Sequence, residues 1–192
     1  MKISNSERKL NNKGFSLMEL IVVIAIMIVM VGAATVSVAM LDSSYVEDAE
    51  RGIKDYIALA RTKSMSVSAK DWYMSIGKQG ADYYAYLYKV VEVPVSDNPD
   101  DGVVEQIILV EKKTLGRKLT ISFGTTEANI IDITSTNELQ LHFDSATGKI
   151  KEVKVGPTNY ETTSGIGNIY INRNDYDIKL KVFYNTGKCE RE

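Results

Sequence analysis

The segment Lys13-Gly14-Phe15-Ser16-Leu17-Met18-Glu19-Leu20 sets a small-residue junction directly before an apolar run, with one carboxylate just inside it. From Leu20 to Leu41 the chain reads LIVVIAIMIVMVGAATVSVAML, with no charged residue and only Thr35 and Ser37 as hydroxyls. About 22 residues at 1.5 Å each span roughly 33 Å as a helix, enough for a bilayer core of roughly 30 Å. A carboxylate at the head of such a segment is costly in lipid and calls for a partner. Glu19 is therefore the first candidate for a working side chain.

The junction adds to this. An ordinary secretory signal is cut after its apolar region, which is then lost. Gly14 lies before the apolar run, so a cut there leaves the helix on the mature protein. It also exposes an amine able to pair with a carboxylate in a low-dielectric bundle. The leader, residues 1–14, holds Lys2, Arg8, Lys9 and Lys13 against Glu7 alone. That excess orients it to the cytoplasm and the rest of the chain outward.

The stretch KGFSLMELIVVIAIMIVMVGAA resembles the N-terminus of type IV prepilins and of the pseudopilins of type II secretion and DNA-uptake systems. The resemblance implies that a prepilin peptidase cuts between Gly14 and Phe15 and methylates the new amine of Phe15. It implies that Glu19, fifth in the mature chain, meets the Phe15 amine of a neighbouring subunit. The implied partners are the prepilin peptidase, other pilin or pseudopilin subunits, an inner-membrane assembly platform and the cytoplasmic membrane. The implied location is a single-pass membrane protein with its C-terminal domain outside, later part of an extracellular or envelope-spanning filament. Unlike many major pilins, this helix has no proline near its middle, and Gly32 is its one point of local flexibility.

The rest of the chain has room for one globular domain of roughly 150 residues. Beyond the apolar run, Val46, Ala49, Ile53, Ile57, Ala60, Ser64 and Val67 recur at three- and four-residue spacing. This stripe predicts an amphipathic helical continuation over 42–69, with a bend at Gly52 or a break near Asp42-Ser43-Ser44 as alternatives to one straight run. From residue 70 the pattern turns to strands: Trp72–Ile76, Tyr83–Val91, Gln106–Val110, Leu119–Phe123, Asn129–Ile133, Leu139–Phe143, Ile150–Val155, Ile169–Ile171 and Ile178–Tyr184. Turn clusters at Gly77–Gly80, Ser96–Gly102, Ser145–Gly148 and Gly156–Gly167 separate them. The expected class is α+β: a pilin-like N-terminal helix, with a transmembrane half over 15–41 and an amphipathic half over 42–69. It packs on an antiparallel sheet or sandwich over 70–192.

A second resemblance lies in this outer part. Leu59-Ala60-Arg61-Thr62-Lys63-Ser64 leading into strands is similar to the minor pseudopilins of the GspH and FimT group. So are Leu139–Asp144 followed by Gly148-Lys149, and Lys181–Tyr184 followed by Gly187-Lys188. The resemblance implies a minor subunit that primes or caps a filament used in pilus assembly, type II secretion or competence.

Chemistry of other kinds finds little support. Cys189 is the chain's one cysteine, so it forms no internal disulfide, and it has no evident base beside it. His142 is the one histidine and sits in a strand pattern without companions for a metal. Asp97, Asn98, Asp100 and Asp101 offer oxygens, but their spacing fits no calcium loop, and a solvated turn around Pro99 is the plainer reading. No catalytic residue, metal or cofactor is expected.

Without the leader's four cations and one anion, 23 Lys and Arg against 25 Asp and Glu become 19 against 24. That acidity argues against indiscriminate nucleic-acid binding. A rival reading, a DNA-binding tip pilin of an uptake filament, rests on Lys149 and Lys151 with Lys154, and on Lys179 and Lys181 with Lys188 and Arg191. Alternate residues share a strand face, so these lysines could form a local basic strip with Tyr184 as a stacking neighbour. Ordinary edge-strand lysines are the plainer reading of both.

Overall fold

The computed structural model describes residues 16–66, 71–95, 102–162 and 165–192, without the side chains of residues 34–39. The chain divides into two compact units, Met1–Met40 and Leu41–Glu192. Helix α1 runs from Leu17 to Ser66. Its assignment passes through Asp42-Ser43-Ser44 and Gly52 without interruption, so the alternative of two helices is not what forms. Val67 and the expected helix end at residue 69 lie outside the described residues.

Among the described residues, eleven strands form two antiparallel sheets. Sheet A is ordered β3 (Val103–Arg117), β2 (Asp82–Pro94), β1 (Asp71–Gln79), β6 (Leu139–Phe143), β7 (Ile150–Val155), β8 (Thr158–Tyr160). Sheet B is ordered β11 (Lys188–Arg191), β10 (Tyr176–Phe183), β9 (Ile166–Arg173), β4 (Thr120–Gly124), β5 (Ile130–Asp132). The α+β class is as the sequence reads.

Three local expectations change. Gly77, Lys78 and Gln79 continue β1, and the turn falls at Gly80, whose φ of 65° suits a residue without Cβ. The stretch Gly156–Gly167 is not all turn, because β8 adds to the edge of sheet A. The chain also pairs once more after β10, as β11.

In the second unit one core joins the helix to both sheets. Val46, Ala49, Ile53, Ile57, Ala60 and Ser64 are all buried, so the helical stripe faces inward as its spacing requires. Alternation brings Trp72, Met74 and Ile76 to it from β1, Leu139, Leu141 and Phe143 from β6, and Ile178, Leu180 and Val182 from β10. The β6–β7 pair carries a bulge: Phe143 lies opposite Ile150 but His142 opposite Glu152. The extra residue lets Ile150 and Val153, three apart, both reach the core. Gly52 does not mark a break. A Cβ there would stand 2.8 Å from Leu115 Cδ2, so its absence lets helix and β3 approach closely.

Polar groups lock the helix in place. Glu50, buried on the inner stripe, meets Lys54 Nζ at 2.6 Å and Arg191 Nη1 at 3.4 Å. At Asp42, Arg173 Nε donates to Oδ1 at 2.6 Å and Asn174 Nδ2 donates to Oδ2 at 2.5 Å, tying the helix to the β9–β10 turn. Hydrogen bonds from Asn174 and then Arg173 hold the Asp42 carboxyl below its ordinary 3.8. A carboxylate lowered by folding stabilises above its unfolded value and ceases to do so as pH falls through the folded one. Asp42→Asn is therefore expected to lower the thermal midpoint at neutral pH. The gap from the parent should close as pH drops below 3.8; a gap of constant size across a thermal pH series would contradict this account.

Candidate functional site

The apolar segment presents its side chains outward. Leu17 is 78% exposed, Val29 71% and Val31 64%, and every described large apolar residue between them is open. Among the described residues no helix is long and apolar enough to cross a membrane. The described side chains of this run break off at Ala33 and resume at Met40, within the 22-residue stretch whose sequence carries the full length.

Glu19 stands in the first turn of α1. The Ser16 N–H donates to Glu19 Oε2 at 2.8 Å, and the Glu19 N–H donates to Ser16 Oγ at 3.2 Å. The Leu20 N–H reaches the Ser16 carbonyl at 3.2 Å, the first bond of the helical series. This is a reciprocal capping box: two N–H groups that a helix start leaves without partners are met by side chains. Glu19 thus begins the helix as well as carrying the one charge at the head of its apolar run. Its position by the helix N-terminus also suits an anion, because the backbone dipoles point positive there. Among the described residues its Oε1 makes no hydrogen bond, which leaves that oxygen for a donor from elsewhere. The Ser-x-x-Glu spacing over 16–19 was legible in sequence as a capping signal, and the pairing reading alone overlooks it. Gly14 and Phe15 lie outside the described residues, as do Asp97, Asn98, Asp100 and Asp101.

The lysine pairs do not come together. Lys149 directly precedes β7 of sheet A and Lys151 lies in it, while Lys179 and Lys181 belong to β10 in sheet B. Lys151 is bound to Asp71 at 2.5 Å and Lys154 to Glu152 at 2.9 Å. Lys179 and Lys181 both reach the Glu192 carboxylate, each at 2.6 Å. That contact holds Lys179 above its ordinary value and Glu192 below. Lys149 is exposed. Tyr184, read as a stacking neighbour, is buried at 1% exposure inside the core and offers no face to a base.

The other chemical candidates are quiet. Burial pushes the Cys189 thiol up to about 12, so at neutral pH it is a thiol and not a thiolate. His142 lies in β6 stacked on Tyr73, and burial lowers its pKa. Among the described residues no group of three or more His, Cys, Asp or Glu is placed to hold a metal.

Residues 9–35 match the family model of the prokaryotic N-terminal methylation motif, the type IV pilin-like signal. The match takes in Gly14, Phe15, Glu19 and the first part of the apolar run. It supports a structural, pilin-like subunit over an enzyme. No curated protein and no solved structure matches the chain.

With the two sets in different sheets and Lys151, Lys154, Lys179 and Lys181 engaged by carboxylates, the outer domain is expected not to bind DNA through Lys179 and Lys181. A Lys179→Glu, Lys181→Glu double variant is expected to migrate with DNA no differently from the parent in a low-salt mobility-shift titration. A clear loss of binding in the variant would restore the strip.

Proposed function

We propose that the chain is a minor pilin or pseudopilin, a subunit processed by prepilin peptidase that helps prime or cap a type IV pilus-like filament. The observation that carries this reading is Glu19. It is the single charge at the head of an outward-facing apolar helix, inside a segment that matches the N-terminal methylation motif. In this reading residues 1–14 are a leader removed between Gly14 and Phe15. Residues 15–41 anchor the subunit in the cytoplasmic membrane and later pack in the filament core. Residues 42–69 continue the helix, and 70–192 form the domain outside.

The methylated Phe15 amine of one subunit meets Glu19 of the next. Removal from water strengthens that attraction, and lipid or packed helices supply the dry surroundings. The assembly platform and other pilins are the partners, and the strand-to-Gly-Lys pattern of the outer domain favours the GspH and FimT kind of subunit. A DNA-capturing role gains little from these lysines: the two pairs lie in different sheets, and Lys151, Lys179 and Lys181 are held by carboxylates.

Three substitutions separate the roles. Glu19→Val is expected to leave membrane insertion intact and to remove the protein from sheared filaments. Ser16→Ala, which weakens only the helix cap by about 1 kcal/mol, should still be incorporated. Normal incorporation of the Glu19 variant, or equal loss in both, would sink the pairing. Gly14→Val should yield only the uncut chain by mass spectrometry; a mature mass beginning at Phe15 in that variant would refute the cleavage site.

A further inference from the structure

We propose that the outer face of sheet A binds a neutral saccharide, in an open groove of about 410 Å³ floored by Tyr73 and His142. The inference goes beyond the assembly role and does not depend on it. Alternation in β1, β2 and β6 turns Tyr73, Tyr84, Tyr86, Tyr88 and His142 to the face opposite the core. Register then sets Tyr73 between Tyr88 on one neighbour and His142 on the other. The rings stack, with centroids 4.4 Å apart for Tyr73 and His142 and 4.9 Å for Tyr73 and Tyr88. Tyr86 follows Tyr88 at 6.0 Å, and Tyr84 follows Tyr86 at 6.1 Å. A ladder of this kind is a stiff floor, and Tyr73 within it is only 6% exposed.

The walls decide the class of ligand. Val90 and Ile107 give one apolar side. On the rim stand Asp71, Glu105 and Glu152 with Lys151 and Lys154, and Gln140 supplies an amide. Lys151 is bound to Asp71 and Lys154 to Glu152, so the rim offers no excess of cations to a phosphate chain. Burial pushes the Tyr73 phenol up to about 12 and the His142 imidazole down, which keeps the floor uncharged at neutral pH. His142 Nε2 is buried without a hydrogen-bond partner among the described residues, a cost the fold bears at this groove.

A pyranose meets these conditions together. Its C–H face suits the apolar side of Val90 and Ile107, and its hydroxyls both donate and accept against the edges of the stacked rings, the unpartnered His142 Nε2, a rim of paired charges and an amide. The volume lies within the ~300–1,000 Å³ usual for small-molecule sites. Polyanions lack matching charge here.

His142, the chain's one histidine, gives a single imidazole signal that reports on the groove. The experiment follows that signal by NMR in the full-length protein, held in a detergent without a sugar headgroup, as maltotriose, chitotriose or lactose is added to about 10 mM. The expected result is a saturable shift with at least one of the three. Gln140→Ala, a change on the exposed rim, should weaken it about tenfold, the worth of roughly one hydrogen bond. No shift with any of the three overturns the proposal. So does a shift that Gln140→Ala and Lys151→Ala both leave unchanged, or one produced by a thymidine oligonucleotide in place of the sugars.

Discussion

From Leu17 to Val31 the chain carries apolar side chains that nothing in the described structure covers. At about 25 cal/mol per Å² of apolar area, leaving such a flank in water costs more than the ~5–15 kcal/mol that stabilises an ordinary domain. Lipid or other helices must cover it. The core of the second unit draws on residues from Val46 to Tyr184 and on none of this flank. Folding of the outer domain and covering of the flank are thus separate tasks. In the function proposed above, that separation lets the subunit pass from membrane to filament without refolding its outer part. Glu19 then becomes the one residue whose charge must be answered in every surrounding the flank meets, and the capping box answers half of it from within.

How much of this was legible in sequence depends on whether the signal is local. The stripe from Val46 to Ser64 is a matter of spacing along one helix, and each described member is buried. Strands β6 and β7 have the bounds their alternation predicts, because one face of each is apolar. Strand β8 reads Thr-Asn-Tyr and β11 reads Lys-Cys-Glu-Arg. Both are short edge strands with no buried alternating face, so pairing alone defines them and sequence pattern is silent. Gly77 looked like a turn by composition, but it lies in a strand buried on both faces, where Glu138 stands so close that a Cβ would meet Oε1 at 2.8 Å.

Charge patterning meets the same limit. Period-two spacing put Lys179 with Lys181 on one face of β10, and they do lie there. What spacing cannot show is that Glu192, on the adjoining edge, would place one carboxylate between them. The two cations of the sequence pattern share one carboxylate in space. Asp42 is the reverse case. It looked like part of a polar break in the helix, and it is instead the point at which Arg173 and Asn174, some 130 residues away, fasten the helix to sheet B. The partners of Asp42 are remote in sequence and only the strand order brings them near, whereas Glu192 reaches its lysines through the β10–β11 pairing.

The outer face of sheet A follows from the same logic of coverage. Only the inner face of β1 packs on the helical core, yet Tyr73 and Ser75 on its other face are also buried. Their cover comes from within the sheet: Tyr88 and His142 lean on Tyr73 from either side, and Glu138 accepts a hydrogen bond from Ser75 Oγ at 2.9 Å. Rings stacked on one another shield the strand beneath them but close nothing above. A layer of helix or loop would have buried this face without leaving a groove; a row of aromatics leaves one, with ring edges and paired charges around it. The alternating tyrosines of β2 were plain in the sequence. Their alignment with Tyr73 and His142 was not, because it depends on the register of three strands, and it is that alignment which turns a strand pattern into a surface able to recognise something.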